Sequence, residues 1–122
     1  METTTITGLV ATTPRHLITP DGLPITSFRL ASSNRRYDRA KGEWVDGETN
    51  WFTITAFRTL AVNVHKSIGK GDRIIVSGEL RVRDWDNGER VGTSVEVEAS
   101  SVGHDLSWGT SVFTRTTLVR ED

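Results

Sequence analysis

Two tryptophans and a phenylalanine fall where strand alternation places them outside a core. In Trp51-Phe52-Thr53-Ile54-Thr55-Ala56-Phe57, successive side chains of an extended segment point to opposite faces. Phe52, Ile54 and Ala56 form a core face, which leaves Trp51, Thr53, Thr55 and Phe57 on the other. A second stretch repeats the arrangement. Ile74, Val76, Gly78, Leu80 and Val82 make one apolar row, while Arg81, Arg83 and Trp85 share the opposite face. Flat aromatic rings beside guanidinium groups can stack nucleobases and hold phosphates, with about 1–3 kcal/mol per stacked base and little regard for sequence. Alternation alone equally allows packing or a subunit contact, where aromatics are also enriched. Arg81 and Arg83, which follow Glu79 at alternate positions, taken singly fit an ion-paired, solvated strand face.

The elements that must position these residues are mostly strands. Thr, Val and Ile account for 36 of the 122 residues, which favours extended structure. Six extended segments are expected: Thr3–Thr13, Leu23–Ser32, Thr49–Arg58, Asp72–Trp85, Val91–Val102 and Ser107–Val119. Asn87-Gly88 signals a two-residue hairpin turn, since both residues tolerate the positive φ of type I′. From Thr59 to Ile68, Leu60, Ala61, Val64 and Ile68 recur at helical spacing, with Thr59 as the expected N-cap and Gly69 as the stop. Three strands, a short helix, then two strands describe an OB-fold, a five-stranded Greek-key barrel with its helix between strands three and four. The final segment adds an extra C-terminal strand. Residues 1–105 are expected to form the barrel, and 106–122 that strand and a short tail. Asn34 to Glu48 reads as a long, hairpin-like arm holding Arg35, Arg36, Tyr37 and Trp44, of a length more often functional than accidental.

Composition excludes several classes. The chain has no cysteine, hence no disulfide staple, thiolate nucleophile or Cys-ligated metal. Fifteen Lys and Arg against sixteen Asp and Glu leave a net charge of −1, so any polyanion site must come from where the charges sit. Twelve of the cations are arginine, the better phosphate fork. No stretch approaches the roughly 20 apolar residues of a membrane span, and Met1 to Thr7 carry no secretory signal pattern, so a reducing cytoplasm is the expected location. His16, His65 and His104 lack zinc-site spacing, no metal or cofactor is expected, and no nucleophile elbow, P-loop or dinucleotide fingerprint is present. Glu96 and Glu98, aligned with Ser94 and Ser100, read as a solvated face and not as paired catalytic acids. An enzyme is not expected.

With these residues in place, the chain resembles the bacterial single-stranded DNA-binding proteins over residues 3–105. The resemblance is carried by Gly8-Leu9-Val10 with Pro14, by Phe28-Arg29-Leu30-Ala31-Ser32, and by Thr49-Asn50-Trp51 through Phe57. Lys70-Gly71-Asp72-Arg73 and Gly78-Glu79-Leu80-Arg81-Val82-Arg83-Asp84-Trp85 complete it. It implies base stacking on Trp51, Phe57 and Trp85, with Tyr37 as a further platform on the arm. It also implies phosphate contacts from Lys70, Arg81 and Arg83, with Arg35 and Arg36 near them, and a homotetramer around which the DNA wraps. Ser107 to Phe113 look like the extra strand by which the actinobacterial branch clamps neighbouring subunits. The chain departs from the family in its ending: Val119-Arg120-Glu121-Asp122 matches no long linker and no acidic recruitment tip, which puts the usual tail-mediated partners in doubt. The expected function is sequence-independent binding of single-stranded DNA during replication, recombination or repair. A protein-interaction OB module, like a primosome accessory factor, and an RNA-binding OB protein are the alternatives.

Overall fold

β-Branched residues alternating with polar ones make strands that bury one face, and closing such strands into a barrel removes most open edges. The computed structural model describes residues 2–117, excluding the side chains of Glu2, Asn34, Arg35 and Asp46. Its elements are β1 (Glu2–Val10), β2 (Arg15–Ile18), β3 (Pro24–Asp38), β4 (Glu43–Phe57), α1 (Arg58–Ser67), β5 (Arg73–Asp86) and β6 (Val91–His104). The sheet runs β1-β5-β6-β4-β3-β2, and a β1–β3 pairing at Leu9↔Ala31 and Val10↔Leu30 closes the ring. β4 and β6 are parallel, whereas every other pairing is antiparallel. This is the expected five-stranded barrel, with its helix between the third and fourth barrel strands. None of its helices is long and apolar enough to cross a membrane among the described residues.

Val10, Phe28, Leu30, Ile54, Ala56, Ile74, Val76 and Val97 fill the interior, and α1 plugs one end with Ala61 and Val64. The buried Thr26 hydroxyl donates to the Ala61 carbonyl at 2.7 Å, so its oxygen accepts from His16 Nδ1, also at 2.7 Å. The His16 ring stacks on His65 of the helix, with centroids 4.4 Å apart. His16, in β2, thus ties that short strand to α1.

Several local expectations are corrected. The N-cap of α1 is Phe57, which makes no side-chain cap, and not Thr59. The chain changes direction through Arg58, whose φ of 61° is the only positive value outside glycine among the described residues, so no polar cap sets the boundary. Helix α1 ends at Ser67 with Ile68 already extended, and it is Gly71, not Gly69, that takes a positive φ. The β5–β6 connection is a four-residue loop in which Asn87 Oδ1 accepts the N–H groups of Glu89 and Arg90, and only Gly88 has a positive φ. A type I′ turn is therefore replaced by an Asn-anchored one. Val82 leaves the expected apolar row and is exposed, because β5 and β6 run past the barrel as a free hairpin.

The expected extra strand Ser107–Val119 is not formed through Thr117. Strand structure needs a free edge, and β5 is flanked on both sides by β1 and β6. Side chains hold the segment instead. His104 Nδ1 meets Ser111 Oγ at 2.6 Å, Arg73 lies 4.4 Å over the Trp108 ring, and the Thr116 hydroxyl donates to Asn63 Oδ1 at 3.2 Å. The rest of the expected strand and tail, residues 118–122, lies outside the described ones.

Candidate nucleic-acid interface

The outward residues of β3, β4, β6 and β5 form one continuous face. Pairing register aligns Arg29, Thr53, Glu96 and Arg81 as a row across four strands, about 15 Å from end to end at the usual strand spacing. Trp51 stands opposite the small Ala31, half exposed, with the Arg29 guanidinium 5.4 Å from its ring centroid. A cation over the indole leaves one ring surface polarised and the other open to a planar partner. The backbone of Arg29 is held from both sides. Its N–H donates to Thr12 Oγ1 at 2.9 Å, and its carbonyl accepts from Ala11 N–H at 2.8 Å.

Trp85 occupies the far end of β5, opposite Gly92, and is 41% exposed. The glycine is needed here: a Cβ at position 92 would fall 2.6 Å from Cε2 of the indole and closer still to Cζ2. Trp85 therefore lies flat on bare backbone, beside an open groove lined by Asp84, Trp85, Asp86, Val91, Gly92 and Thr93. Gly92→Ala is expected to lift the ring out of that position while leaving the barrel intact. Binding to a stacked ligand should weaken about tenfold, within the range for one base platform, with an unchanged melting temperature. Titration beside a thermal melt checks both.

The hairpin-like arm is formed. β3 and β4 continue as a ribbon, with Arg35↔Asp46, Arg36↔Val45, Tyr37↔Trp44 and Asp38↔Glu43 paired. From Ser33 to Arg35, β3 advances two residues while β4 moves three, from Thr49 to Asp46. The extra residue is a bulge that re-aims the strand beyond it. It brings Trp44 opposite Tyr37, edge-on at 5.6 Å, and both rings are exposed. Trp44 thus shares the place expected of Tyr37 alone.

The remaining expected residues divide. Arg81 and Arg83 lie on the same face as Trp51 and Trp85, exposed, but each is ion-paired. Arg81 is 3.6 Å from Glu98 and 3.9 Å from Glu79, and Arg83 is 3.8 Å from Glu96. Phe57 ends β4 opposite Ile25, only partly exposed, so it offers less ring than the tryptophans. Arg36 is exposed on the arm, while the Arg35 side chain lies outside the described ones. Lys70 is exposed in the turn between α1 and β5, which Gly71 N–H fixes to the Val10 carbonyl, away from the Arg81–Trp85 end of β5. Arg29 is the residue that sequence reasoning did not single out; its signal is the alternation with buried Phe28 and Leu30. No group of metal-ligating side chains occurs among the described residues.

In sequence and fold the chain is similar to known proteins. The profile of the single-strand binding protein family matches residues 1–105. The chain is 54% identical over 111 residues to single-stranded DNA-binding protein 2 of Tropheryma whipplei strain Twist, covering 91% of this chain and 73% of that protein. It is 44% identical over 109 residues to single-stranded DNA-binding protein 1 of Streptomyces coelicolor, covering 89% and 69%. The crystal structure of a small single-stranded DNA-binding protein from Streptomyces coelicolor superposes with a TM-score of 0.82 at 40% identity, over 88% of this chain and 97% of that one. The second single-stranded DNA-binding protein of Mycobacterium smegmatis gives a TM-score of 0.69 at 31% identity, over 93% and 97%.

Proposed function

The chain belongs to the single-strand binding protein family, and from that premise we propose that it binds single-stranded DNA with little sequence preference. The observation that carries this reading is the shared outward face of Trp51 and Trp85, half exposed and flanked by Arg29, Arg81 and Arg83. Bases stack on the indoles and guanidiniums take the phosphates, so affinity falls with salt. A duplex keeps its bases stacked on one another and offers no free ring face. The protein acts by holding strands open and protected during replication, recombination or repair in the bacterial cytoplasm, and it needs no catalytic group to do so. Tyr37 and Trp44 extend the stacking surface along the arm, with Arg36 and Arg35 beside them. Phe57 and Lys70 contribute at its margins.

The assembly is a homotetramer. One edge of β1 is unpaired from Glu2 to Gly8, which leaves backbone donors and acceptors for a second copy. Val112 and Phe113 in the terminal segment are 96% and 83% exposed, as suits a segment that covers a neighbouring subunit and gains its strand pairing there.

Retention of the protein by oligo-dT, by oligo-U and by a duplex of equal length tests the function. The reading expects oligo-dT to be held most tightly and released by high salt. Equal retention of the duplex would contradict it, and a preference for oligo-U would favour RNA as the ligand.

A further inference from the structure

The acidic side chains of the interface stand where incoming phosphates would go. β6 lies between β4 and β5, and its outward Glu96 and Glu98 adjoin the β5 arginines. Arg83 is 3.8 Å from Glu96, and Arg81 is 3.6 Å from Glu98 and 3.9 Å from Glu79. A carboxylate and a phosphate present a guanidinium with the same kind of acceptor oxygens. The pairs are part-exposed and longer than a hydrogen bond, which makes them weak and exchangeable. Arg29, at the other end of the same row, has no ion pair among the described residues and lies over Trp51 instead.

We propose that Glu96 and Glu98 are built-in competitors for Arg81 and Arg83, so that DNA binds this part of the face by displacing carboxylates and its affinity is held below what the cations could give. The inference rests on the single-stranded DNA reading and concerns the regulation of that same site. It has an ionic signature. When a phosphate takes an arginine from a glutamate, the freed carboxylate recruits a cation from solution. That uptake offsets part of the counterion release from the DNA and flattens the salt dependence. A strand held this way is easier to release and redistribute than one held by unopposed arginines.

Glu96→Gln, Glu98→Gln and their combination test the proposal against oligo-dT over a range of salt concentrations. Glu89→Gln in the hairpin loop serves as control, because it removes the same unit charge without freeing an arginine. The double variant is expected to bind about tenfold tighter at low salt, with a log–log salt slope steeper by up to about 0.7 per arginine released. The control should stay within about twofold of the parent with the same slope. Unchanged or weaker binding by the folded double variant would overturn the proposal, as would tightening with no change of slope. If the parent protein itself fails to bind oligo-dT, the functional reading falls, and that result is distinct from all of these.

Discussion

Trp51→Ala and Trp85→Ala each weaken binding to a single-stranded oligonucleotide by about 5- to 150-fold, the equivalent of 1–3 kcal/mol for one lost base platform. Both rings are about half exposed and neither belongs to the core cluster, so the variants should unfold cooperatively at nearly the parental temperature. The tryptophans sit on different strands, β4 and β5, with β6 between them, and share no ring contact. Their effects should therefore add within a few tenths of a kcal/mol in the double variant. Phe57→Ala should cost less binding and more stability, because its ring is part buried where β4 passes into α1. Titration of the three variants with oligo-dT, beside thermal melts, separates a lost platform from a damaged fold.

Gly78→Ala should destabilise the barrel by about 3 kcal/mol or more. At this position a Cβ would fall 2.9 Å from Ala99 Cα and closer still to the Glu98 carbonyl. The obstacle is the backbone of β6, at the point where the β5–β6 register shifts between Ser77 and Gly78. Neither strand can yield without losing ladder hydrogen bonds or opening the core around Val76 and Val97. For a domain of this size, that loss corresponds to a melting temperature lower by about 10–25 °C. A shift of only a few degrees would show that the sheet can flex here. Gly92→Ala is the instructive contrast, since the added methyl there meets an indole that can swing into solvent, so binding suffers and the fold does not.

Strand alternation is legible wherever one face is buried, and Trp51, Phe57 and Trp85 could be placed on the outer face from their neighbours alone. Register is not legible in this way. Arg29 alternates visibly with Phe28 and Leu30, yet its position over Trp51 depends on the pairing Ala31↔Trp51, which no local pattern fixes. The same blindness made Glu96 and Glu98 look like an ordinary solvated face, when pairing with β5 brings them to Arg81 and Arg83. β2 is only four residues long and lies between Pro14 and Pro20, so its turn signals mask it. The arm is legible as hairpin-like, but its charges hide the register of the ladder that pairs Tyr37 with Trp44. The terminal segment shows the converse. Its Thr and Val content suits a strand, but a strand also needs an edge, and β5 beside it is already paired with β1 and β6.

Tryptophan emission during titration with oligo-dT tests the central claim most directly, using a Trp44→Phe, Trp108→Phe background in which only Trp51 and Trp85 emit. Bases stacked on the two indoles should quench most of that emission, and high salt should restore it as the strand is released. Oligo-dT that is demonstrably bound while the emission stays unquenched would place the DNA elsewhere on the protein and contradict the account.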